Sequence, residues 1–444
     1  MTAPDGPPAI ALLPWGNLIE DFLDSIGVSF ERFRDEMTGG WMFGYVDALR
    51  QAGVRTVLIC VSARVREVTR SIHRPTGASL CLLPALGSYR LLSRRLGDPY
   101  AWMDDEARRR RPVRAALRDV APYLATPLSR LWRELRREGC AAVLCQEYEY
   151  PRFDVCVLLG RLMRLPVFAT FQGGDWQMSR LERPVRPHTL RSCAGLIVPT
   201  GTEAERLGIR YGVPAEKLAR IFNPLDLAGW GPCDAADREA TRRALGIPMA
   251  ARVVVWHGRI DLHRKGLDVL LDAWRRLARG DRRLLLVGTG TDSPELHRRL
   301  GGPDLPGVVW IDEYVLDRGA LQRYLAAADV YTLPSRHEGF PVAPLEAMAC
   351  GLPVVAADAQ GVPDILDGGE AVGGLVVPRA DPGALASALA RLLDDAALAG
   401  ELGRRARRRV EERFSLAAVG AQLREFLSRR GARLDVTGRR SRRR

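Results

Sequence analysis

Residues 335–358 read SRHEGFPVAPLEAMACGLPVVAAD, and this stretch decides the fold. An apolar run, Val330 to Leu333, feeds a loop that carries Glu338, Gly339 and Phe340. The spacing predicts a helix from about Val342 to Cys350, closed by Gly351, with a second apolar run, Pro353 to Ala356, behind it. Pro344 is tolerated there because first-turn N–H groups have no partner inside the helix. The same groups, aimed back at the strand ends, suit a diphosphate. Strand, loop, helix, strand is the repeating unit of a parallel sheet covered on both faces, whose strands read as continuous apolar runs.

Upstream the alternation continues. Strands are predicted at Arg252 to Trp256, Arg283 to Val287 and Val308 to Ile311, with helices at Gly266 to Arg279 and Ala320 to Ala328. Downstream, helices are predicted at Gly383 to Leu393 and Leu416 to Ser428. A linker rich in proline, glycine and aspartate, Asn223 to Asp237, precedes this series. Before the linker lies a second alternation: strands Ile10 to Pro14, Thr56 to Val61, Ala141 to Cys145, Val167 to Thr170 and Gly195 to Val198. Helices are predicted there at Phe43 to Gln51, Pro127 to Arg137 and Phe153 to Arg164. A chain of 444 residues exceeds one ordinary core. The expectation is α/β, with two Rossmann-like, doubly wound parallel-sheet domains facing across a cleft. Residues 1–230 and 231–412 would form the domains, 413–430 a helix packing back toward the first, and 431–444 a basic, disordered tail.

The composition narrows the class. A 47% hydrophobic fraction is that of a globular protein. No run of about 18 apolar residues is present, so no membrane-spanning helix is expected. The polar, proline-rich start from Met1 to Pro8 lacks the layout of a secretory signal. The 8 cysteines show no CxxC spacing, which points to reduced core thiols in the cytoplasm and away from zinc. The net charge of +13 comes mostly from arginine, with runs at Arg108 to Arg111, Arg404 to Arg409 and Arg439 to Arg444. A solvated face, an anionic membrane or a phosphate-bearing substrate each accommodate it. Nucleic acid is disfavoured, because no aromatic-studded basic patch accompanies the charge. The basic surface and tail leave open a peripheral contact with the inner face of the membrane.

Two carboxylates, Glu338 and Glu346, stand eight positions apart around the start of the predicted helix. A carboxylate accepts from vicinal hydroxyls, so the pair suits a ligand with hydroxyls at both ends; a helix cap and a surface glutamate are the plain alternative. Upstream, WHGRIDLHRKGLDVLLDAW at 256–274 places Gly258, Arg259, Lys265 and Gly266 just past a strand end. Two cations there could neutralise a leaving diphosphate.

Together HGRIDLHRKG and RHEGFPVAPLEAMACGLPVVAAD resemble the donor-binding half of retaining glycosyltransferases, family 4 in particular (glycosyl transferases group 1). The segments IFNPLD, Ile221 to Asp226, and GGLVVPRADPGALASAL, residues 373–389, are similar to further parts of that family. The resemblance implies a GT-B fold. It also implies retaining transfer from a nucleotide-diphosphate sugar, UDP- or GDP-linked, to a hydroxyl of a glycan, lipid-linked or small-molecule acceptor, as in polysaccharide biosynthesis. Arg259 and Lys265 would then contact the diphosphate and Glu338 the donor-sugar hydroxyls. Gly258 and the backbone at Gly339, Phe340, Pro341 and Val342 would approach sugar and phosphates, and Glu346 would bind the ribose. No cofactor and no metal is implied, and no DxD-like motif lies in a suitable loop.

The N-terminal half departs from the pattern. Gly40, in Gly39-Gly40-Trp41, is the candidate for the family's glycine-rich loop, although it comes late. In ATFQGGDW, Gln172 stands where the family often has histidine; it could position the donor sugar in that residue's place by hydrogen bonding, but it cannot titrate. Asp175 and, in QEYEYPRFD, Glu147 are candidate acceptor contacts, an exposed acidic loop being the alternative for the latter. A nucleotide-sugar epimerase, a sugar phosphorylase and a degenerate sugar-nucleotide-binding protein remain rivals on the same fold. A dehydrogenase does not, because VGTGTDS at 287–293 lacks the third glycine and lies in mid-domain.

Overall fold

The computed structural model describes residues 7–24, 27–38, 40–96, 110–171, 178–232, 234–313, 315 and 317–434, without the side chains of residues 40 and 41. Its contacts divide the chain into two units. One comprises residues up to Phe222 together with those from Val419 onward, and the other runs from Asn223 to Ala418.

The first unit is built on an eight-stranded sheet. Its strands are β1 (Ala9–Pro14), β2 (Arg55–Ser62), β3 (Thr69–Ile72), β4 (Ser79–Pro84), β5 (Cys140–Gln146), β6 (Val167–Thr170), β7 (Gly195–Val198) and β8 (Leu218–Arg220). The order is β3-β4-β2-β1-β5-β6-β7-β8. All pairings are parallel except β3 with β4. Residues 57–61 of β2 and 196–198 of β7 are buried throughout, as a strand covered on both faces requires.

The second unit holds six parallel strands: β9 (Arg252–His257), β10 (Arg282–Val287), β11 (Val308–Ile311), β12 (Val330–Leu333), β13 (Val354–Ala357) and β14 (Gly374–Val377). The order β11-β10-β9-β12-β13-β14 reverses direction between β9 and β12. In open α/β sheets a ligand site lies at that reversal, beyond the carboxyl ends of the strands. The helix Leu267–Leu277 buries Leu267, Leu270, Leu271, Trp274 and Leu277 on one stripe against this sheet. Each such side chain contributes roughly 1.5–3 kcal/mol of burial. The Trp274 Nε1–H is satisfied by Pro306 O at 3.0 Å.

Several expectations shift. Phe222 closes the first unit, whereas the sequence suggested residue 230: Leu225 N–H donates to Phe414 O at 2.7 Å and Leu225 bridges to Ser415, which ties this stretch to the second unit. The helix Leu416–Arg429 packs with the first unit, where Phe426 meets Phe168 edge-on at 6.0 Å. Order does not stop at 430, because Ala432 and Leu434 are apolar and buried. Residues 435–444, with the terminal arginine run, lie outside the described residues. The loop expected after β1 contains a helical turn, Leu18–Leu23. Strand β3 went unrecognised because it is a short, largely exposed edge without an apolar run. The arginine run at 404–409 is no simple solvated face. It lies in the helix Ala396–Arg413, and Arg407 donates to Trp230 O at 2.7 Å and Ala349 O at 2.6 Å. The second of these satisfies a helix-end carbonyl. No helix among the described residues is long and apolar enough to cross a membrane.

Candidate active site

Two loops meet beyond the carboxyl ends of neighbouring strands in the second unit. One follows β9 and carries Gly258, Arg259 and Lys265; the other follows β12 and carries Ser335 to Val342. Gly266 lets them touch. It adopts the left-handed conformation, with φ +64°, and a Cβ there would sit 2.0 Å from Pro334 O. Arg336 clamps the same contact. It donates to Asp268 Oδ1 and Oδ2 at 2.7 and 2.8 Å and to His263 O at 2.9 Å. Burial works against the Asp268 carboxylate, yet Arg336 holds it below the usual carboxylate range.

Within this frame Lys265 Nζ donates to both oxygens of Glu338, at 2.7 and 3.0 Å. Ser335 Oγ donates to Glu338 Oε1 at 2.7 Å. The Glu338 side chain is only 8% exposed, against 24% for Lys265, so a nearly buried carboxylate is matched by one cation. The structure adds an ion pair to the two cations that the sequence placed beside a diphosphate. Arg259 is exposed, and among the described residues no carboxylate is paired with it; Lys265 is already neutralised by Glu338.

Glu346 lies in the short helix Ala343–Ala349 and is held by His257, whose Nε2 stands 2.9 Å from Glu346 Oε2. His257 ends β9 and meets Tyr331 of β12 edge-on, ring centroids 5.4 Å apart. Tyr331 is fully buried. Burial first, then the Glu346 and Glu338 carboxylates, push its phenol well above the usual tyrosine range. The structure thus brings Glu338, Lys265 and Glu346 to adjoining strand ends.

The backbone of the motif is packed from both sides. A Cβ on Gly361 would meet Gly339 O at 2.6 Å, and the Phe340 ring lies 6.3 Å from that of Phe414, tilted by 31°. Pro341 is buried and Val342 is 36% exposed. The glycines of VGTG are packing devices. A Cβ on Gly288 would fall 1.9 Å from Gly258 O, and one on Gly290 would fall 2.2 Å from Ile260 O. Sequence reasoning missed Ser335, Asp268, Arg336 and Tyr331, and left His257 unassigned. Position is their signal: Tyr331 lies within β12, His257 ends β9, Ser335 and Arg336 follow β12, and Asp268 lies in the first turn of the helix after β9.

The N-terminal candidates fare differently. Gly40 opens the helix Gly40–Gln51. Gln172 and Asp175 lie outside the described residues. Glu147 and Glu149 are not on an exposed acidic loop; they are 3% and 8% exposed. Glu147 has φ +106°, rare for a side chain of its kind. Arg206 Nη2 donates to Glu149 Oε1 at 2.7 Å, and its guanidinium lies 5.7 Å from the Phe171 ring centre.

Residues 251–395 match the family Glycosyl transferases group 1, and residues 44–228 match Glycosyltransferase Family 4. A D-inositol 3-phosphate glycosyltransferase of Kineococcus radiotolerans is 36% identical over 49% of this chain and 53% of its own length. The chain spans about half the length of the curated relatives it matches, 53% in that case. Among solved structures, sucrose-phosphate synthase of Thermosynechococcus elongatus superposes over 95% of this chain and 98% of its own, with TM-score 0.62 and 22% identity. The Anabaena protein HepE in complex with UDP superposes over 95% of this chain and 100% of its own, with TM-score 0.67 and 17% identity. At such identities the likeness concerns the fold. Two parallel-sheet units, the paired loops at the sheet reversal and the two family matches together identify the chain as a member of glycosyltransferase family 4 with the GT-B fold.

Proposed function

We propose that the protein transfers a sugar, with retention of configuration, from a nucleoside-diphosphate sugar to an acceptor hydroxyl. The observation that carries this reading is the convergence of Glu338, Lys265 and Glu346 beyond the ends of β9 and β12. Arg259 and Lys265 would compensate the diphosphate in place of a divalent ion. Glu338 would accept from donor-sugar hydroxyls, and Glu346, oriented by His257, from the ribose. The acceptor hydroxyl would attack the face from which the diphosphate leaves, and a leaving phosphate oxygen would take its proton. UDP- and GDP-sugars are the preferred donors in this reading, which the UDP complex of one neighbour of the same fold supports.

The test is thermal stability against UDP, GDP, ADP, dTDP and NAD, with and without Mg²⁺, followed by donor turnover. A ligand at about 100 times its dissociation constant stabilises by about 2.7 kcal/mol. A shift with one diphosphate that disappears in Glu346→Ala, and persists in EDTA, is the expected result. A response to NAD alone, or a trapped glycosyl-enzyme adduct, would refute the reading.

A further inference from the structure

We infer that Glu338 is a competing counter-ion for Lys265, which makes the site hold a nucleotide sugar in preference to the free nucleoside diphosphate and so helps expel the spent product. The inference rests on the donor-site reading above and adds a discrimination that the reading does not require.

Lys265 has three donors, and two of them reach the two oxygens of Glu338. The backbone under the pair has little freedom to move, while the Lys265 side chain can swing. The pair's loops are locked by the Gly266 contact with Pro334 and by the bidentate Arg336–Asp268 bond, and Ser335 also holds Glu338 in place through Oε1. A phosphate reaching Lys265 therefore draws the ammonium away from a carboxylate that stays in place. That carboxylate is only 8% exposed, so water replaces the lost donor poorly.

The two ligands differ at this point. A nucleotide sugar brings hydroxyls that can donate to Glu338 as Lys265 turns to the phosphate. A free nucleoside diphosphate brings charge and no such donor, leaving an uncompensated carboxylate beside an anion. Once the sugar has gone to the acceptor, the hydroxyls no longer face Glu338. Lys265 then returns to it, and the diphosphate loses a cation.

Calorimetric titration of the full chain with UDP, GDP and ADP, and with UDP-glucose, GDP-mannose and ADP-glucose, tests this. Glu338→Gln removes the charge while keeping the shape and an acceptor for Ser335. It should bind the free diphosphate about tenfold tighter than wild type and lose the preference for the sugar-bearing form. In a Lys265→Met background the same substitution should improve diphosphate affinity by clearly less than that, because only the direct repulsion between carboxylate and anion is left to relieve. Wild-type diphosphate affinity retained or weakened in Glu338→Gln would overturn the inference and leave the donor site standing. A wild type that binds none of the six ligands would overturn the donor-site reading and this inference with it.

Discussion

Gly266→Ala should cost more than any other single methyl group added to the lysine loop. Gly266 holds φ +64°, and an L-residue in the left-handed region costs roughly 1–2 kcal/mol. The new Cβ would also lie 2.0 Å from Pro334 O and 2.7 Å from Pro334 C. Both are backbone atoms, so no rotamer relieves the clash, and the loops must separate by about an ångström; overpacking of this kind costs about 1–3 kcal/mol. The sum is about 2–5 kcal/mol, or a fall of about 4–20 °C in melting temperature for a unit of this size. Differential scanning calorimetry measures it directly. Gly280→Ala is the control: nothing lies within 4 Å of its Cβ position, and the change should stay within about 0.5 kcal/mol. Separation of the loops should also pull Lys265 from Glu338. A Gly266→Ala protein that melts within about 1 kcal/mol of wild type would refute the packing argument.

Further predictions concern charged groups. Arg186 is 1% exposed and binds Asp154 at 2.9 and 3.0 Å and Glu182 at 2.9 Å. Arg186→Met takes the cation from two buried carboxylates and should destabilise the first unit by about 3–5 kcal/mol in urea unfolding; a loss below about 1 kcal/mol would show the network to be dispensable. Asp268 titrates below its ordinary value in the fold. Its contribution is therefore complete above the unfolded value of about 3.9 and is lost as pH falls through the lower folded value. Asp268→Asn should lower stability evenly above that window and flatten the acid limb of the profile; an unaltered acid limb would count against the Arg336 clamp.

Much of the second unit was legible in the sequence. Strands β9, β10, β11, β12 and β13 announce themselves as apolar runs, because a parallel strand covered on both faces has little room for polar side chains. Glu338 and Glu346 were legible through their spacing around a helix start. The first unit read less well. Strand β3 is polar and pairs only at an edge, and the burial of Glu147 and Glu149 depends on Arg206, which is distant in the chain.

By itself the sequence determined the class of each unit, since periodicity and apolar run length are local properties that follow from which faces are covered. It also placed the chemistry-bearing residues at strand ends, where parallel sheets present them. Only the tertiary structure decided how those residues are spent: Lys265 on Glu338, His257 on Glu346, Arg336 on Asp268. Each pair joins the end of β9 or the segment that follows it to the segment that follows β12, 68 to 89 positions apart in the chain. The physical reason is that the range of a charge interaction is a few ångströms in space, while its partners' separation along the chain is set by sheet order, which no local pattern of residues encodes.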